Sequence, residues 1–133
     1  MKNAIFFMIL FVLTFSVLAI NSKAQSNKSD EYSVNLIAGL NSENEGLVKS
    51  SIYFSGKYKM TESVESLIKI MKKSDRNDMK ILAAHALYEI GDLRGLSAIG
   101  ELAETEDNSF VREECRTLYS KFLRSEIVQF ADF

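Results

Sequence analysis

The side chains of this 133-residue chain whose types could do chemistry are a single histidine, a single cysteine and a cluster of carboxylates. His85 could act as a general base, but a base needs a nucleophile or acid within hydrogen-bond reach. It lies between Ala84 and Ala86 in a helical pattern, where no Ser, Cys or carboxylate is expected beside it in a triad-like set. Cys115 cannot complete a metal site with His85, because zinc takes three or four protein ligands. It aligns with small residues, so a buried, inert thiol is expected. Glu101, Glu104, Glu106 and Asp107 could serve a hydrolase or hold Ca²⁺, yet the spacing of a calcium loop with its glycine is missing. A solvated charged face is the reading of that cluster. Gly91, Gly95 and Gly100 precede no Lys-Ser/Thr pair and do not make a phosphate loop. No catalytic, cofactor-binding or metal-binding residue is assigned, no cofactor is expected, and the chain reads as a non-enzyme.

The elements that must position these residues repeat every 32 positions. Leu47, Met79 and Val111 share a column, as do Ser51, Ala83 and Cys115. Phe54, Ala86 and Leu118 form another, and Tyr58, Ile90 and Phe122 another. Val64 aligns with Leu96, Leu67 with Ile99, and Met71 with Ala103. His85 falls with Tyr53 and Thr117, beside the buried face, so partial exposure is expected. Each block reads as two helices, A and B. In the middle block Met79, Leu82, Ala83, Ala86, Leu87 and Ile90 trace one face of helix A. Gly91-Asp92 breaks the pattern, with Gly suited to end one helix and Asp to cap the next. Leu96, Ile99, Leu102 and Ala103 then mark the buried side of helix B.

Other junctions carry comparable signals. Ser42 and Glu45 have capping-box spacing. Glu62 and Glu65 suit the start of the first B helix, and Lys72, Lys73 and Arg76 its end. Asn77-Asp78 and Asp107-Asn108-Ser109 offer caps to the second and third A helices. Gly100 falls inside helix B, where it costs about 1 kcal/mol relative to Ala unless a neighbouring helix needs the space.

The organisation expected is a half repeat at 31–41, repeats at 42–74 and 75–107, and a partial repeat at 108–133. In the partial repeat, helix A ends near Arg124, and residues 125–133 take the place of a third B helix. Ahead of the repeats, Lys2 and the apolar run from Asn3 to Ser22 lead to Ser22-Lys23-Ala24. A charge, an apolar core and a small-x-small cut site make a secretory signal over 1–24, with 25–30 a polar spacer. The alternative is an uncleaved anchor, although the run is near the lower limit of about 17 residues for spanning a bilayer. The expectation is export to a periplasmic or secreted location, with no membrane insertion after cleavage.

Of the 16 basic side chains, Lys2 and Lys23 lie in that segment, which leaves 14 against 18 acidic ones and a net charge of −4. Such a balance disfavours nucleic acid as a partner, since phosphate contacts need concentrated positive charge. One cysteine permits no internal disulfide, so apolar packing carries the fold. The absence of Pro and the scarcity of Gly favour helices over a turn-rich β fold.

The stretch from Asp78 to Glu104, DMKILAAHALYEIGDLRGLSAIGELAE, resembles the short bacterial HEAT-like repeat of the PBS-lyase type. The pattern is an apolar-basic pair (Met79-Lys80, again as Val111-Arg112), alanines within helix A, a Gly-Asp turn and an apolar-rich helix B. The first block departs from it, with Lys59-Met60 in place of Gly-Asp. The resemblance implies an all-α fold, a short α-solenoid of about six helices, and a scaffold or protein-binding role. An accessory subunit of an envelope assembly is the alternative, and a HEAT-like lyase or hydrolase the remote one. In that family the B helices line the concave side. The implied partner-binding face is therefore Glu62, Glu65, Lys69, Lys72 and Lys73 on the first B helix. On the second it is Arg94, Ser97, Glu101 and Glu104, running from basic to acidic. The partner implied is a protein.

Overall fold

Helix-forming sequence dominates wherever the structure is described. The computed structural model describes residues 31–131, with side chains through residue 128. The expected signal segment 1–24 and spacer 25–30 lie outside the described residues, as does Phe133. The fold is all-α, with no strand among the described residues.

Helix α1 covers residues 31–40. It is followed by α2 (Glu45–Lys57), a short 3-10 turn (Thr61–Ser63), α3 (Val64–Lys73), α4 (Asn77–Ile90), α5 (Leu93–Thr105) and α6 (Ser109–Ala131). By its contacts the chain divides between Val34 and Asn35, and the packing described below is that of the unit from Asn35 onward. Among the described residues, no helix is long and apolar enough to cross a membrane.

The junctions show why the helices stop where they do. Gly91 takes φ 74° and ends α4, and the Asp92 carboxylate accepts the Arg94 N–H to cap α5. At the end of α2 the same left-handed conformation falls on Lys59, at φ 52°. There Met60 N–H donates to Ser55 O and Lys59 N–H to Gly56 O, the two bonds of a Schellman ending. Thus Lys59 does the work of Gly91, 32 residues earlier. Asn108 caps α6 by accepting from Phe110 and Val111 N–H.

The expected capping box at Ser42 and Glu45 does not form. Asn44 caps α2 by accepting from Leu47 N–H, and Ser42 Oγ accepts from Asn44 N–H instead. The helix begins too late for Ser42 to reach its free donors. Asn77 is already the first residue of α4, whose preceding residue, Arg76, makes no side-chain cap.

Helix α4 lies at the centre and touches α2, α3, α5 and α6. The most extensive contacts of α3 are with α4, and those of α5 with α6, so each B helix leans on the A helix that follows it. Ile52, Val64, Leu67, Met71, Leu87, Ile99, Val111 and Cys115 are fully enclosed between them. Each such side chain contributes about 1.5–3 kcal/mol through apolar burial. Ser55 and Ser63 are also fully buried, and the Ser55 hydroxyl donates to that of Ser63 at 3.0 Å, which satisfies both.

Glycines mark the closest approaches. A Cβ on Gly56 would come 2.9 Å from the Ala86 Cα, so α2 and α4 nearly touch backbone to backbone. A Cβ on Gly100 would meet the Tyr119 ring at 2.8 Å, which explains a glycine inside α5.

The 32-residue columns hold in the core with one exception. Ser51, Ala83 and Cys115 are all buried, as are Val64 with Leu96 and Leu67 with Ile99. In the first block, however, Leu47, Phe54 and Tyr58 are exposed, where Met79, Ala86 and Ile90 are buried. Ala86 faces the preceding A helix, and no A helix precedes α2 among the described residues. The turn expected near Arg124 is absent as well. Helix α6 runs unbroken to Ala131, with Ile127 and Val128 exposed rather than packed as part of a third B helix. No Gly or Pro interrupts the stretch after Phe122, so nothing stops the helix.

Candidate partner-binding face

Exposed charged residues at helical spacing form two neighbouring stripes on α3 and α5. Glu65, Lys69 and Lys72 recur along α3, and Lys73 closes its last turn. Arg94, Ser97, Glu101 and Glu104 recur along α5, and Glu62 precedes α3 in the 3-10 turn. All nine are exposed. Two cross-helix ion pairs lace the stripes together: Arg94 Nη1 with Glu65 Oε1 at 3.0 Å, and Lys72 Nζ with Glu101 Oε2 at 2.6 Å. The sequence-predicted residues are therefore brought onto one surface.

The charge gradient expected along that surface is altered. Lys72 and Glu101, placed at its opposite poles, are partners. Arg94 is held twice, by Glu65 and by Asp92, and its guanidinium and backbone N–H hold the Asp92 carboxyl below the usual carboxylate range. Glu62, Lys69, Lys73 and Glu104 enter no ion pair among the described residues. They are the charges with the most freedom to meet a partner.

The same lacing recurs between the A helices. Lys49 meets Asp78 at 3.0 Å, and His85 Nε2 lies 3.5 Å from Glu114. The carboxyl of Asp78 is held well below its ordinary range by hydrogen bonds from Arg76 and then Lys49. Each of the four pairs joins residues 29 apart, which is the 32-residue period less about one helical turn. Adjacent helices of one row are thus offset by a constant step.

His85 is half exposed and has one carboxylate neighbour, Glu114. The Glu–His contact follows from the 29-residue offset, which a column alignment at 32 does not display. Cys115 is fully buried, and burial pushes its thiol up to about 11, with Glu106 and Glu114 adding to the shift. A thiol so held is neutral and unreactive at neutral pH.

Within the acidic cluster, Glu106 is not on a solvated face. Its side chain is 8% exposed and pairs with Lys80 at 2.8 Å. The Lys80 hydrogen bond outweighs desolvation and keeps the Glu106 carboxyl below its ordinary range. Glu106 also accepts from Asn108 N–H, while Arg112 donates to the Glu106 and Asp107 carbonyls. This set ties the α5–α6 junction to the start of α4. No group of three or more His, Cys, Asp and Glu among the described residues is placed to hold a metal ion.

A second exposed surface was not anticipated from the register. On α2, Phe54 stacks with Tyr58 at 5.8 Å and meets Tyr53 edge-on at 5.3 Å. Lys57 Nζ lies 5.7–6.0 Å from the three ring centres. The signal lies in the block order, since no A helix precedes α2 among the described residues.

No known family model matches the chain, and no curated protein matches it.

Proposed function

We propose that the chain is an exported HEAT-like α-solenoid that binds a protein through the exposed face of α3 and α5. The observation that carries the reading is the pair of exposed stripes laced by Glu65–Arg94 and Lys72–Glu101. Two parallel elements at a constant offset present a continuous surface, the feature that repeat proteins use for binding extended partners. The constant 29-residue step supports the solenoid reading, because it is what stacked copies of one unit produce. Export rests on the signal-like pattern of residues 1–24.

The remaining unpaired charges act chiefly on association rate and specificity. Lys69 and Lys73 sit on one stripe and Glu104 on the other, so the complementary partner surface carries both signs. The test is the double reversal Lys69→Glu with Lys73→Glu, against Lys121→Glu on α6 as control. All three side chains are exposed, so the fold should survive each change. Partner capture by crosslinking in the native envelope should fall with the double variant and persist with the control. Equal capture by both would remove the α3–α5 face as the binding surface.

A further inference from the structure

The exposed stripe of α2 differs along its length. Its C-terminal half is bulky and basic, with Phe54, Tyr58 and Lys57, and Lys59 just beyond. Its N-terminal half carries Gly46 and Ser50, and Glu43 stands exposed just ahead of it. Leu47 is exposed beside Gly46. The Glu43 end is thus complementary in charge to the Lys57 and Lys59 end.

A surface whose two halves complement each other is self-complementary about a two-fold axis. The geometry points to this face of α2 as a homotypic interface, in which a second copy of the chain lays its own α2 antiparallel across the first. In that arrangement Phe54 packs over the partner's Ser50, Tyr58 over the partner's Gly46, and the Lys57 end approaches the partner's Glu43. The helix dipoles are then opposed head to tail as well. A parallel arrangement would set lysine on lysine and glutamate on glutamate, which like-charge repulsion disfavours.

The register gives an independent reason for a partner here. The columns of Phe54 and Tyr58 are those that Ala86 and Ile90 bury in the middle block, so this face is of the type that receives another helix. The contact is one helix wide, smaller than the roughly 800 Å² per partner of a standard interface, so the dimer is expected in the micromolar range or weaker.

Sedimentation equilibrium of the purified chain over a wide concentration range tests this. The wild type should show a reversible monomer–dimer equilibrium. Phe54→Ser with Tyr58→Ser should weaken it by about tenfold or more, since aromatic anchors carry most interface energy. Circular dichroism melts would check that the variant remains folded. Lys57→Glu alone should also weaken the dimer, and Lys57→Glu with Glu43→Lys should recover part of the loss. A chain that stays monomeric throughout, or a dimer indifferent to the Phe54 and Tyr58 changes, would overturn the proposal. A charge swap that recovers nothing would overturn the antiparallel arrangement.

Discussion

Lys80 of α4 and Glu106 of the α5–α6 junction meet at 2.8 Å with side chains only 14% and 8% exposed, the most enclosed ion pair among the described residues. The Glu106 carboxyl also receives Asn108 N–H, so its charge is met from two sides. Removing one partner from such a pair leaves the other enclosed and uncompensated.

The Lys80→Met variant should therefore lose about 3 kcal/mol at neutral pH. Its pH dependence follows from the direction of the Glu106 shift. A carboxyl whose folded value is depressed contributes stability that is present above its unfolded value, near 4.3, and is lost as pH falls through the lower folded value. The gap between wild type and variant should be full at pH 7 and should shrink below about pH 4. Urea melts across that range measure it. A gap independent of pH would mean that the pair contributes by packing alone.

Lys59 holds the left-handed conformation that Gly91 takes 32 residues later. A side chain there costs roughly 1 kcal/mol against Gly. Lys59→Gly should therefore raise the free energy of unfolding by up to about that amount, offset in part by the freer unfolded chain. An unchanged or lower melting temperature would show that the Lys59 side chain contributes a contact that outweighs the strain.

Gly56 and Gly100 should respond differently to alanine. The atom in the way at Gly56 is the Ala86 Cα, which cannot move without shifting α4. Gly56→Ala should cost about 1–3 kcal/mol. At Gly100 the obstacle is the ring of Tyr119, a partly buried side chain at a helix surface. Its displacement competes with the roughly 1 kcal/mol that alanine gains in helix propensity, so the net change should be small. Equal losses in thermal melts of the two variants would contradict this account of the α2–α4 approach.

Much of this organisation is legible in the sequence because periodicity reports burial directly. The columns through Ala83 and Cys115, through Leu67 and Ile99, and the Gly91-Asp92 turn all follow from residue type and spacing. The misreadings concentrate at the ends, where a repeat loses its neighbour. Phe54 and Tyr58 fall in columns that are buried in the middle block, yet both are exposed, because no A helix precedes α2 among the described residues. The run after Arg124 reads as a new helix because it falls where a B helix follows in the earlier blocks, but no Gly or Pro separates it from α6. Pairings such as Lys72–Glu101 and His85–Glu114 depend on the offset between helices, a property of the packed structure rather than of any one segment. The candidate face was therefore legible as a set of residues and illegible as a pattern of charge.

If a protein partner sits on the α3–α5 stripes, site-specific photocrosslinking will capture it there. Ser97 lies exposed on the α5 stripe, while Ser120 lies exposed on α6, and neither is charged. A photoreactive residue at Ser97 should give a discrete crosslinked product in cells that make the protein, and the same residue at Ser120 should not. A product from Ser120 with none from Ser97 would contradict the account and move the binding surface to the A-helix row.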